Sequence, residues 1–311
     1  MILDLLEVVL PVFLVIGAGY LAVRLKVFGD SAVDGLMDFA IKFAVPSLLF
    51  LNIMRLDLGA YFDWRLLVTF FSGAFAAFVL GIVGARVLFK RRPGDSVAIG
   101  FGAMFSNSLL LGLPIMERAY GPDALAGNFV ILSVHAPLIY LVGISVMEAA
   151  RSDGRGLAGT TRVIARAMFR NTLMIGLALG FVVNLSGLAL PSAVLPAIEL
   201  VARAALPAAL FGLGGMLTRY SLRASVGEAG LITVLSLLVH PAVAYVLATQ
   251  VFDLSVEFTR SAVVTASMAP GVNAYVFAKM YNRAVGAAAS AVLLATGLSI
   301  LTITVWLYIL G

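Results

Sequence analysis

"SMAPGVNAYVFAKMYN", residues Ser267 to Asn282, sets a proline, a glycine and an asparagine inside a run otherwise apolar enough to lie in lipid. Pro270 removes a donor that would have bonded the carbonyl of Ala266, and Gly271 lets the backbone leave helical geometry at little steric cost. In hydrocarbon an exposed, unpaired amide costs several kcal/mol, so a helix break at that depth survives only beside protein or a watery cavity. The chain carries the feature twice. In "FSNSLLLGLPIMERAYG", residues 105–121, Pro114 denies Leu110 its partner and Gly112 stands beside it.

That both stretches lie in a membrane follows from composition. The 311 residues are 62% hydrophobic and only 12% charged, with a mean hydropathy of +1.07. Too little polar surface remains to cover a water-soluble globule of this size. Ten apolar stretches, near 6–26, 33–53, 64–89, 95–120, 125–148, 163–185, 193–217, 225–250, 257–281 and 284–310, approach the roughly 20 residues a helix needs to cross roughly 30 Å of hydrocarbon. A barrel strand would alternate polar and apolar residues, whereas these runs are continuously apolar, so the fold class is all-α integral membrane.

Basic residues cluster at 24–26, 86–92, 151–170, 219–223 and 279–283, against Arg55, Arg65, Arg118 and Arg260 on the other side. The positive-inside rule therefore places both termini outside, and the net charge of +5 reports topology rather than nucleic-acid binding. The first stretch lacks a basic n-region and a small-residue cleavage site, so it reads as a retained span. Without cysteine the chain has no disulfide, thiol nucleophile or thiolate metal site. No HExxH, GxSxG or P-loop motif and no metal-spaced cluster occurs, so neither an enzyme nor a nucleotide-driven pump is expected, and no cofactor or metal. A gradient would have to drive any transport, with sodium or protons as open choices.

Residues 19–50 align without a gap on residues 180–211. Gly19 meets Gly180, Pro46 meets Pro207, Phe50 meets Phe211, Asp38 meets Glu199 and Lys42 meets Arg203. The chain divides accordingly into 1–150, a cytoplasmic linker at 151–162, and 163–311. Each part holds five spans, an odd number, so the second must enter the membrane from the opposite side. Inverted repeats with a broken helix at matching places in each half are the usual construction of secondary transporters. The two breaks fall in spans four and nine, the fourth of each half.

A break leaves a half-helix N-terminus with free amide donors, suited to a carboxylate. Candidate substrate residues are therefore Asn107, Gly112 and Pro114 in span four, and Pro270, Gly271 and Asn273 in span nine. The asparagine amides can donate to an anion and would be costly in lipid without partners. Ser106, Ser108, Thr265 and Ser267 are weaker candidates, because such hydroxyls often bond their own helix. Lys42 and Arg203 lie mid-span, where a lone charge costs about 3 kcal/mol. Asp38 and Glu199 precede them by one turn, within reach of two structural ion pairs. The same bases could instead attract an incoming anion. Glu117 could accept a proton if buried, and His135 and His240 could titrate near neutrality. Lys279 with Tyr281 reads as an interface anchor.

The motifs "LPVFLVIGAGYL" (10–21), "FAVPSLLF" (43–50), "SNSLLLGLPI" (106–115) followed by "AYG", and "YVFAKMYN" (275–282) resemble the auxin efflux carrier family, which includes bacterial organic-acid carriers and the plant PIN-FORMED transporters. The resemblance implies ten helices and a scaffold of spans 1, 2, 6 and 7. Spans 3 to 5 and 8 to 10 would form a transport domain moving like an elevator, with spans 4 and 9 crossing at their breaks. It further implies a homodimer through the scaffold, substrate contact by Asn107, and a scaffold contribution from Val45, joined by Leu206. Span three lacks the acid and base that plant members carry there, and a short segment (150–162) replaces their long loop. The chain thus looks like the bacterial branch, with a small carboxylate such as malonate or malate as cargo, or an auxin-like indole acid, in an inner membrane. A sodium or proton antiporter and a non-transporting receptor are the other classes. The antiporter expects a buried carboxylate at the breaks.

Overall fold

The computed structural model describes residues 2–150, 172–221 and 225–311, and over these the chain is helical, with one isolated β-bridge. The linker at 151–162, the start of span six, the basic residues at 151–170 and Arg223 lie outside them. In chain order the helices are α1 (Ile2–Arg24), α2 (Asp30–Phe39), α3 (Val45–Arg55), α4 (Trp64–Val87), α5 (Pro93–Met104), α6 (Leu113–Tyr120), α7 (Ala126–Ala150) and α8 (Thr172–Ser186). They continue as α9 (Val194–Arg203), α10 (Ala205–Leu217), α11 (Val226–Val234), α12 (His240–Val246), α13 (Val256–Ala266), α14 (Val272–Tyr281) and α15 (Val285–Leu310).

Among the described residues, 7 helical stretches are long and apolar enough to cross a membrane: Leu3–Arg24, Asp30–Arg55, Trp64–Val87, Pro122–Ala150, Val194–Leu217, Val226–Val251 and Val285–Leu310. The other three apolar stretches differ for physical reasons. Span six is described only from Thr172, and spans four and nine are interrupted, so neither half alone reaches the length of a crossing.

The chain forms two compact units. The first comprises Met1–Pro11, Asp63–Thr160 and Tyr220–Gly311, and the second Val12–Phe62 and Thr161–Arg219. The first therefore holds the helices of spans three to five and eight to ten.

Within the second unit α8 packs along α3, and Asn184 of α8 donates from one amide nitrogen to the carbonyls of Ile53, Met54 and Leu56. Carbonyls in the last turn of a helix lack donors from the next turn; Ile53 O also takes the Leu56 N–H at 3.3 Å, and the Asn184 amide helps close the end of α3. Small residues permit the close helix approach on which packing in lipid depends. A Cβ on Gly180 would come within 2.9 Å of the Phe50 carbonyl oxygen, and one on Gly19 would collide with the carbonyl of Phe211. The two aligned glycines thus each receive the aligned phenylalanine of the other sequence half.

Among the described residues there are four π turns, three within long helices and one at Ser108–Gly112 before α6, and each leaves a carbonyl short of its helical donor. Side chains from elsewhere supply some of these donors. Thr172 Oγ1 donates to Ile41 O at 2.8 Å in the second unit, and Trp306 Nε1 donates to Leu237 O at 3.1 Å in the first.

At the start of α4, Asp63 accepts from the backbone N–H of Arg65 at 2.8 Å and pairs with its guanidinium at 2.7 Å. The hydrogen bond from Arg65 holds this carboxyl below the ordinary carboxylate range. Asp63→Ala should cost about 1 kcal/mol, the usual value of an N-cap. Because the folded pKa is lowered, the contribution is complete above about pH 4 and fades as pH falls through the folded value. Thermal melts should therefore show the gap between wild type and variant narrowing as pH is lowered below about 4, the unfolded carboxylate value.

Candidate functional site

Both interrupted helices lie in the first unit, and their interruptions are hydrogen-bonded to each other. Helix α5 stops at Met104, and Phe105 (φ −89°, ψ 84°) and Asn107 (φ −78°, ψ 53°) leave helical geometry. In the other stretch α13 stops at Ala266, and Gly271 (φ −74°, ψ 164°) is extended before α14 begins. Ser106 and Pro270 form an antiparallel bridge: Asn107 N donates to Ala269 O at 2.8 Å, and Gly271 N donates to Phe105 O at 2.9 Å. Each break so satisfies a donor and an acceptor of the other, which is how two unwound segments escape the desolvation penalty.

The first break lies nearer the chain start than Pro114 suggests. Pro114 is the second residue of α6, but the helical run reaches it unbroken from Ser108 through the π turn Ser108–Gly112 containing Gly112, so the proline falls inside a continuous helix and not at the break. The unwound residues are Phe105 to Asn107. Pro270, by contrast, lies within its break.

Asn107 uses its backbone fully, its N–H on Ala269 and its carbonyl accepting from Leu111 N (3.1 Å) and Gly112 N (3.2 Å). Its side chain, only 7% exposed, has no hydrogen-bond partner among the described residues. Asn273, half-buried in the first turn of α14, accepts at Oδ1 from the Tyr140 hydroxyl at 3.2 Å. The hydroxyls are occupied: Ser106 Oγ pairs with Ser108 Oγ at 2.7 Å, Ser267 Oγ donates to Val264 O at 2.9 Å, and Thr265 Oγ1 accepts from Asn128 Nδ2 at 2.8 Å. The turn from Ser108 into α6 and the start of α14 both open at the crossing, with first-turn N–H groups that lack intrahelical acceptors. These N-termini carry partial positive charge, and residues 104–112 and 266–273 themselves contain no carboxylate.

Most of the other candidates lie elsewhere. Glu117 is exposed. His135 and His240 are buried on either side of Phe70, with ring centroids 5.5 and 4.9 Å from it, and His135 also packs edge-on against Phe105 at 4.9 Å. Exposed Lys279 lies 5.9 Å over the Tyr275 ring. Val45, fully buried, and half-buried Leu206 belong to the second unit.

So do the charged pairs. Lys42 and Asp38 are joined at 2.6 Å, as their spacing predicts, and both are exposed. Glu199 does not take Arg203. It pairs with Arg55, because α9 packs against α3 and brings Glu199 to the last turn of that helix. Among the described residues exposed Arg203 has no carboxylate partner. An apolar groove of about 520 Å³ on the second unit, between Phe43 and Val201, offers a carboxylate only the Ser47 hydroxyl, which already donates to Phe43 O.

Sequence reasoning missed Tyr140 and the aromatic residues around it, Phe101, Phe105 and Phe277. The turn-apart spacing of Asn273 and Phe277 was readable, but their partners come from distant parts of the chain.

The profile of a family described as "Membrane transport protein" matches residues 4–307. A Rhizobium meliloti protein named "Putative malonate transporter" is 24% identical over 307 residues, covering 99% of this chain and 96% of the relative. An "Uncharacterized transporter" of Methanothermobacter thermautotrophicus is 28% identical over 314 residues, covering 98% of each. The "Lysosomal cholesterol signaling protein" of Mus musculus is 27% identical over 154 residues, 48% of this chain and 18% of that one.

Proposed function

The chain belongs to the membrane transport protein family, and from that premise we propose that it is a secondary carrier moving a small carboxylate across the cytoplasmic membrane. It is a multi-pass membrane transporter; the cargo, the mechanism and the orientation are our reading. The observation that carries it is the paired crossing, with the Asn107 amide left free and two half-helix N-termini opening beside it. Asn107, Asn273 and the first-turn N–H groups would hold the carboxylate, with Gly112, Pro114, Pro270 and Gly271 shaping the backbone around it. Malonate is the first cargo to try, because the Rhizobium relative carries that name.

Alternating access would come from elevator-like movement of the first unit, the second serving as scaffold and dimer contact. Arg203, which has no carboxylate partner among the described residues, would draw the anion in, and Lys42, paired with Asp38, would do so less. Both termini would face outward.

The test is uptake into liposomes of the purified protein, comparing malonate, malate, acetate and an indole acid under sodium and proton gradients. Saturable uptake of at least one small carboxylate, competed by unlabelled cargo, is expected. Absence of uptake for all four under every gradient, by protein that remains monodisperse, removes the reading.

A further inference from the structure

Asn273 is the second residue of α14, and the Tyr140 hydroxyl donates to its Oδ1 at 3.2 Å. A primary amide has one accepting end and one donating end. With the oxygen engaged, the end left over is the NH₂ group. The direction of this bond is itself constrained: Oδ1 is the one acceptor that the Tyr140 hydroxyl meets among the described residues, and a buried hydroxyl proton without an acceptor costs about 1–3 kcal/mol.

We infer that Tyr140 is a positioning residue that makes Asn273 an anion-binding group, by holding its carbonyl oxygen so that its amide nitrogen faces the solute. The inference rests on the carboxylate reading above and assigns the origin of its charge preference. Without Tyr140 the amide can turn over and present an oxygen, which repels an anion.

The surroundings fix the phenol. Its ring lies 5.5 Å from that of Phe101 and 5.7 Å from that of Phe105, the latter at a steep angle of 69°. Phe105 belongs to the first break, and its carbonyl accepts from Gly271 N. Tyr140 therefore touches the crossing twice, through its ring on one segment and its hydroxyl on the other. Phe101 in turn stacks on Phe277 at 3.8 Å, with the planes 8° apart. Phe277 lies one turn beyond Asn273 on the same face of α14, so that helix is held at two successive turns. Gly143, three residues after Tyr140, makes room for this: a Cβ there would run into the Phe101 ring and come within 3.4 Å of Phe277. A phenol so placed could accept from a turned amide only by leaving its own hydroxyl proton without an acceptor.

The experiment is calorimetric titration of malonate and of its neutral diamide, malonamide, into purified full-length protein. It uses wild type, Tyr140→Phe, Asn273→Ala and the double variant, each with a melting curve. Tyr140→Phe keeps the ring and loses only the hydroxyl, so its ligand-free melting temperature should stay near that of wild type. Malonate should bind it about tenfold more weakly, the scale of one charge-assisted hydrogen bond, while malonamide changes little. The double variant should bind malonate no more weakly than Asn273→Ala, because Tyr140 acts only through that residue. Asn273→Asp, which keeps the bond from Tyr140 but presents an oxygen, should bind malonate more weakly than Asn273→Ala does.

Wild-type preference for malonate over malonamide in Tyr140→Phe, or a double variant losing the product of the two single effects, overturns the inference and leaves the carboxylate reading standing. A wild-type protein that binds no carboxylate overturns both.

Discussion

Asn107→Ala should abolish the stabilisation that the transported anion confers. An anion supplied at about 100 times its dissociation constant raises the stability of wild type by about 2.7 kcal/mol. Losing a charge-assisted hydrogen bond and leaving the anion with an unmet contact weakens binding by roughly 1.5–3 kcal/mol, close to a hundredfold at the upper end. At the same concentration the variant would then gain only about 0.4 kcal/mol. The comparison is clean because everything Asn107 does for the fold runs through its backbone, which alanine keeps: its N–H to Ala269 and its carbonyl to Leu111 and Gly112. Ligand-free melting temperatures should therefore nearly coincide. The measurement is a thermal-shift titration with malonate and its analogues. An undiminished shift in Asn107→Ala places the pocket away from the crossing.

The parts of this site that were legible in the sequence are those set by local chemistry. Pro270 announces a break because a missing donor acts on its own segment, whatever packs around it, whereas Gly271 at φ −74° holds a conformation open to any residue. The same logic misplaces the other break. Pro114 also lacks a donor, but the helix passes through it, with a π turn at Ser108–Gly112 just before, and the unwinding falls at Phe105 to Asn107. Charge pairing divides similarly. Asp38 and Lys42 pair at four-residue spacing, a relation the helix itself provides. Glu199 and Arg203 have the same spacing, yet Glu199 takes Arg55, because helix packing sets a guanidinium from α3 beside it.

The contacts that orient the candidate ligand groups were the least legible, since they join residues far apart in the chain. Tyr140 and Asn273 are separated by 133 positions, and Asn128 and Thr265 by 137. Nothing in the periodicity of either helix selects its partner. Hydropathy shows how deep in the membrane a residue lies, while its neighbours there depend on which helices the fold brings together. Asn107 could be singled out because a free amide in an apolar run is costly wherever the run packs. Tyr140 could not, because a tyrosine in a membrane helix is unremarkable until its hydroxyl finds an acceptor.

Gly271→Pro should cost the protein its stable fold, whereas Gly271→Ala should be nearly silent. The two variants separate the shape of this residue from its N–H. Gly271 has φ −74°, within the range a proline ring imposes, so proline fits the local backbone. Its Cβ position is ordinary as well: an added carbon would lie 3.5 Å from Asn107 Cα and 3.6 Å from the Phe105 ring. What proline removes is the donor to Phe105 O, and that carbonyl belongs to a buried residue with no helix to return to. Left unpaired at membrane depth it costs several kcal/mol, against a total stability of about 5–15 kcal/mol for a folded domain. Gly271→Pro should then melt at least about 10 °C below wild type, or fail to survive purification as a single species, and show no uptake in liposomes. Gly271→Ala should melt within a few degrees of wild type and retain uptake. Equal stability of the two variants would mean that the bond from Gly271 to Phe105 adds nothing to the fold, and that water reaches both breaks well enough to replace it. In that case the crossing would be a wet opening with backbone on either side. The paired structure requires the opposite: two helices can stop part-way through hydrocarbon because each supplies the partner the other has lost, and this leaves side chains and first-turn amides, rather than bare backbone, to meet a solute.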